Sequence, residues 1–179
     1  HFWAHYWTSD MDSCLAPYAR TVIEAFSDLK ALGFKGICGE TRPPYWQSQR
    51  FFFYAMARAG WDNSLAFDDI LDDYCYEAYG PGGADMKAYY LFYEDRIYEN
   101  VPFLQRDGAC AQIFPPLFSP ADIALLEGYL ASAEAAVTGG LQANIDAVAE
   151  IREMFDKFKA LAVDPADIPG IGPNLVSNP

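Results

Sequence analysis

Residues 61–80, Trp-Asp-Asn-Ser-Leu-Ala-Phe-Asp-Asp-Ile-Leu-Asp-Asp-Tyr-Cys-Tyr-Glu-Ala-Tyr-Gly, decide the fold reading. Trp61 closes one helix. Asp68 and Asp69 open the next, where carboxylates meet free backbone N–H groups. Tyr79-Gly80 ends it, with Gly80 where a left-handed backbone is tolerated. The stretch specifies a helical unit and carries no catalytic signature.

Helical patterning extends to both sides. Upstream, residues 47–59 form a helix with an aromatic face (Phe51, Phe52, Tyr54). Gly80-Pro81-Gly82-Gly83 is a break. Residues 85–98 follow as a helix with Met86, Tyr89, Tyr90, Phe92, Tyr93 and Ile97. Residues 99–118 read as irregular, with four glycine or proline positions. Ser119-Pro120-Ala121-Asp122 is a helix start, with Ser at the cap and Pro in the first turn. That helix runs to about Val137. The last one spans about 141–162, with Ile145, Val148, Ile151, Met154, Phe155 and Phe158 at helical spacing. The tail, 164–179, is rich in proline and reads as extended.

The first forty residues read differently. Residues 1–7 alternate, with His1, Trp3, His5 and Trp7 on one face, as a strand does. Residues 15–32 have a helical apolar period that Gly33 stops. Phe34–Gly39 is a short apolar run, read as a second strand. Strand, helix and strand of this length predict one βαβ unit with a parallel pair. Thr41-Arg42-Pro43-Pro44 is a loop, because two prolines prevent a helix there.

Composition bounds the function classes. The 179 residues are enough for one domain with a sizeable core, and 52% are apolar. Acids outnumber bases 25 to 12, giving a net charge of −13, which argues against nucleic acid and anionic membrane surfaces as partners. No run approaches the roughly 20 apolar residues of a membrane span. Aromatics reach 16%, with two readings: packing between helices, or stacking on sugar rings. The cysteines at 14, 38, 75 and 110 lack zinc or redox spacing, and Cys38 and Cys75 read as small core hydrophobes. The chain opens on His-Phe-Trp without a starting Met, which suggests a piece of a longer protein.

Trp61-Asp62, Asp68-x-x-Leu71-x-x-Tyr74-Cys75, Tyr79-Gly80 and Met86-x-x-Tyr89-Tyr90 together resemble the bacterial family called domain of unknown function 4838. Phe118-Ser119-Pro120 and Tyr129-Leu130-x-x-Ala133-Glu134 extend the likeness over most of residues 1–160. Asn63-Ser64 departs from the family's usual proline. The resemblance implies a glycoside-hydrolase-like parent, with a TIM-like barrel followed by a helical domain. A full barrel needs roughly 200 residues or more and eight strands. The expected fold is therefore mainly α, with one N-terminal βαβ unit followed by a helical bundle. Residues 1–46 would be the terminal part of the barrel, 47–163 the helical domain and 164–179 the tail. The missing N-terminal part of the parent would be a partner, a glycan or oligosaccharide the ligand, and the setting extracellular or periplasmic.

Catalytic groups of such barrels sit at the C-terminal ends of strands. Glu40 has that position after the second strand, and Asp10 and Asp12 lie just beyond the first. Two carboxyls about 5–5.5 Å apart retain anomeric configuration, and about 6.5–9.5 Å apart invert it. Glu40 with Asp10 or Asp12 would make the acid–base pair if the strands are neighbours, and Glu40 with Asp10 is the pair expected. The bland alternative pairs Glu40 with Arg42. Trp7, Tyr45 and Trp46 share the same mouth and would stack on pyranose rings or simply cover the end of the barrel. His5 would meet a substrate hydroxyl. His1 and His5 lack a third metal ligand, so neither metal nor cofactor is indicated. The competing function is a non-catalytic helical scaffold or interaction module.

Overall fold

The computed structural model describes residues 2–5, 14–40, 46–99 and 115–162, with backbone alone at 2–5, 37–40 and Pro116. Among the described residues, six helices carry the fold: α1 (Ala19–Ala31), α2 (Trp46–Trp61), α3 (Phe67–Tyr79), α4 (Gly83–Tyr98), α5 (Pro120–Val137) and α6 (Gln142–Leu161). Short 3-10 turns at Gly80–Gly82 and Pro115–Leu117 precede α4 and α5. Helix α4 packs on α3 and α5, α6 on α5 and α3, and α1 on α2.

The expected βαβ opening is corrected. The part of the chain with placed side chains is helical, with no strand or sheet among those residues. Among the described residues, the extended segments are Phe2–His5 and Ile37–Glu40, four residues each, running parallel with Phe2 opposite Ile37. A pair this short makes no layer on which helices pack. The reason lies in α1. Its buried side chains Ala19, Val22 and Ile23 join the same core as α2–α6. It is thus a member of the helical body, whereas a barrel's crossover helix would cover a sheet. It also starts later than its apolar period suggests: Leu15 is buried ahead of the helix.

The helix ends follow local chemistry. Ser119 Oγ accepts the N–H of Asp122 at 3.2 Å, and the Asp122 carboxylate accepts the N–H of Ser119 at 2.8 Å, a reciprocal cap with Pro120 in the first turn. At α3, Asp69 accepts the N–H of Ala66 at 3.2 Å, and the Ala66 methyl makes no return bond. Gly80 ends α3 at φ +50°, a conformation that side chains resist. Asn144 of α6 donates to the Ala78 carbonyl at 2.9 Å and so meets one of the last free acceptors of α3.

Each helix turns one stripe inward, and each fully buried Val, Leu, Ile, Phe or Met side chain contributes about 1.5–3 kcal/mol. Helix α5 buries Ile123, Leu126, Leu130, Ala133 and Val137, and α6 buries Val148, Ile151, Met154, Phe155 and Phe158. The core of α3 and α4 is tyrosine-rich. Tyr79 and Tyr90 share a hydroxyl–hydroxyl bond of 2.8 Å, with Tyr74 beside them at 3.5 Å. Pairing the hydroxyls offsets the cost of desolvating them. Tyr93 stacks on Phe118 at 5.3 Å, and Phe158 meets Phe118 edge-on at 5.1 Å, which joins α4 to α6. Cys75 is buried, and burial pushes its thiol up to about 12, so it stays protonated.

Candidate functional site

Of the six residues expected to form a site, one has a placed side chain. Trp46 is the first residue of α2 and is 49% exposed. Its indole stacks on Phe53, two turns along the helix, at 5.4 Å between centroids and 13° between planes. The stacking holds the indole while leaving half of its surface open. His5 and Glu40 occupy paired backbone positions at the ends of the two extended segments. Trp7, Asp10 and Tyr45 lie outside the described residues. So do Asp12 and His1.

The other aromatic residues of α2–α4 divide sharply. Phe51, Phe52, Tyr74, Tyr79, Tyr89, Tyr90 and Tyr93 are buried. Burial lifts the Tyr79, Tyr89 and Tyr90 phenols well above the ordinary range, so all three stay protonated at neutral pH. Tyr54 is different. Its hydroxyl donates to Asp73 at 2.6 Å, and Arg58 reaches the same carboxylate oxygen at 3.0 Å. Partial burial and the Asp73 bond push this phenol up to about 12. The trio links α2 to α3 and is an ordinary surface ion pair with a phenol added.

Two features went unread in the sequence. The first is Glu94, a carboxylate 4% exposed on the inward side of α4. Helical spacing offered the signal: Glu94 is four residues after Tyr90 and eight after Met86, both core residues. The second is a shallow apolar hollow of about 360 Å³ between α5 and α6. Phe118, Ile123 and Ala162 line it, and the Lys159–Glu127 ion pair lies at its edge. None of the six expected residues lines this hollow. Asp122 is committed to structure. Burial works its carboxyl upward, but bonds from Ser119 and Arg96 outweigh this and hold it below the usual range.

Among the described residues, no group of three His, Cys, Asp or Glu side chains is arranged to hold a metal. Among them too, no helix is long and apolar enough to cross a membrane. No family model matches the chain, and no curated protein or solved structure matches it.

Proposed function

We propose that the chain is the C-terminal part of a glycoside-hydrolase-like protein that binds or hydrolyses a glycan. In this reading the helical body is the support, and the segment from Glu40 to Trp46 is the edge that meets sugar. The observation that supports it is Trp46. Phe51 and Phe52 of α2 are spent on the core, but this indole sits at the head of the helix, fixed from one side by Phe53 and half open. A flat, pre-positioned ring loses little freedom on binding, which suits the apolar face of a pyranose. Glu40 supplies the acid–base carboxyl, with Asp10 as its partner in a two-carboxyl mechanism.

The test is a glycan panel offered to the whole protein containing this chain. Trp46→Ala should weaken binding about tenfold, the equivalent of about 1.4 kcal/mol of lost stacking. Glu40→Gln should abolish hydrolysis and leave binding in place. Unchanged affinity in the first variant removes Trp46 from the site, and unchanged turnover in the second removes Glu40 from the mechanism.

A second reading, a non-catalytic helical scaffold, is favoured by the inward tyrosine network and by Trp61, which is 94% exposed at the end of α2. It predicts that no glycan of the panel binds either form of the protein.

A further inference from the structure

Glu94 belongs to neither the expected site nor an ordinary ion pair. Its Oε1 accepts the backbone N–H of Arg20 at 3.1 Å. Its Oε2 is buried and has no hydrogen-bond partner among the described residues. Arg20 is the second residue of α1, and Tyr18 at the head of that helix provides no side-chain cap. A donor of the first turn of α1 is therefore met by a carboxyl 74 positions along the chain. This contact anchors the start of α1 to α4.

The Arg20 guanidinium does not complete a pair with Glu94. It bonds Asp95 at 2.5 Å and lies over the rings of Phe67 and Tyr98, at 4.8 and 5.3 Å. Tyr98 in turn donates to Glu24 of α1 at 3.1 Å. Arg96 is held by Asp122 of α5 at 2.7 Å and by Glu99 at 3.5 Å. The charged and titratable groups of this corner are thus Arg20 and Glu24 from α1, Asp95, Arg96 and Tyr98 from α4, and Asp122 from α5. From α3 comes the apolar Phe67. Each of these cations already has an acid of its own, and among the described residues the Glu94 carboxyl meets backbone N–H groups at the head of α1 while its Oε2 has no partner.

We propose that Glu94 is a proton-operated latch between α1 and α4: protonated, it holds the first turn of α1 in place, and ionised, it loosens that turn. A buried carboxylate with an unmet oxygen is costly, whereas the neutral acid in the same place is not. Opening the α1–α4 contact lets water reach the carboxylate. Burial raises the carboxyl to about 7, although the backbone N–H groups of Arg20 and Ala19 and the Arg20 charge pull the other way; Asp95 adds a little to the rise. In the opened form the group returns to its ordinary value of 4.5. Opening therefore releases a proton between these limits, and rising pH drives it. The latch stands independently of the glycan reading, because its test uses no ligand.

Amide hydrogen exchange in α1 tests it on the full chain. The Val22 N–H, bonded to the Tyr18 carbonyl at 3.0 Å, reports on the first turn. After division by its intrinsic rate, exchange there should rise about twentyfold between about pH 5.5 and about pH 7.5, given the two titration limits. Glu94→Gln, a neutral mimic of the protonated acid, should hold the change within about twofold. A flat profile in the unaltered chain, or an equal rise in the variant, overturns the latch. A carboxyl-carbon NMR titration of Glu94 in the unaltered chain decides the matter even if the variant fails to fold. A midpoint near 7 is expected, and one near 4.5 refutes the proposal.

Discussion

Two glycines, both in helices, should respond to alanine with opposite signs. Gly83 is the first residue of α4, at φ −58° and ψ −39°, a backbone that alanine adopts freely. Gly128 sits in α5 and faces solvent. On helix preference alone, alanine gains up to about 1 kcal/mol at an interior position such as Gly128 and less at a first residue such as Gly83. The surroundings differ. A Cβ at Gly128 would meet nothing within 4 Å. A Cβ at Gly83 would stand 2.8 Å from the Cys75 carbonyl oxygen and 3.2 Å from its carbon. Both are backbone atoms of α3, so no side-chain rotation relieves the contact, and the α3–α4 pair must separate. Overpacking of this kind costs about 1–3 kcal/mol. Gly128→Ala should therefore stabilise by about 0.5–1 kcal/mol and Gly83→Ala destabilise by about 1–2 kcal/mol. Urea unfolding with a common slope measures both. A Gly83→Ala protein as stable as the parent would refute the close approach of α3 to α4, and with it the packing described for the tyrosine core.

Three further perturbations probe other parts of the body. Leu130 of α5 is fully buried, so Leu130→Ala should cost about 2–5 kcal/mol in the same urea assay. Asn144→Ala should cost about 1–2 kcal/mol, because it leaves the Ala78 carbonyl without its donor at the end of α3. The buried carboxyl of Glu94 is raised in the folded state, so its contribution is fully present below the unfolded value of 4.5 and is lost as pH rises through about 7. A shift of that size corresponds to about 3 kcal/mol. Glu94→Gln should remove this loss, so that the difference in stability between parent and variant changes over that window. A difference that stays constant from about pH 4.5 to about pH 7.5 would count against it.

Much of the helical body was legible because its signals are local. Ser119-Pro120-Ala121-Asp122 carries a complete start, and the structure uses each part of it. Asp68 and Asp69 fall in the first turn of α3, and Gly80 takes the positive φ that ends it. Helix α4 starts two residues earlier than its apolar pattern suggests, because Gly83 fits against Cys75, a long-range contact that no local pattern records. The first forty residues were misread for a related reason. Alternation over 1–7 and the apolar run at 34–39 describe extended backbone, and short extended segments occur at 2–5 and 37–40. Neither pattern says whether a sheet grows around them. The placement of α1 in the helical core answers that, and its burial depends on partners more than 30 residues away. Of the expected site, only Trp46 combines a sequence signal with a placed side chain. Glu94 was missed because an acid inside an apolar stripe reads as a boundary residue until its partner, a backbone N–H on another helix, is known.

The aromatic content, open to two readings at the level of composition, can be apportioned by what each hydroxyl touches. A core built for volume alone would use phenylalanine. Tyrosine adds a group that must find a partner or cost stability when buried. Here Tyr79 and Tyr90 bond each other, Tyr74 sits beside them, and Tyr93 reaches the Leu15 carbonyl at 3.4 Å. These bonds are satisfied in one arrangement of α3, α4 and the approach to α1, so they select a packing as well as fill it. Rings locked in this way are closed to any ligand. The most exposed rings among the described residues, Trp61, Tyr76 and Trp46, are open to a sugar or another protein. Among the described residues, no ring stacks on Trp61 or Tyr76, whereas Trp46 is braced by Phe53. A braced ring keeps its orientation before a ligand arrives. For that reason affinity for any planar or pyranose ligand should depend on Trp46 more than on the more exposed Trp61, and the same binding assay on Trp61→Ala distinguishes a held platform from mere exposure.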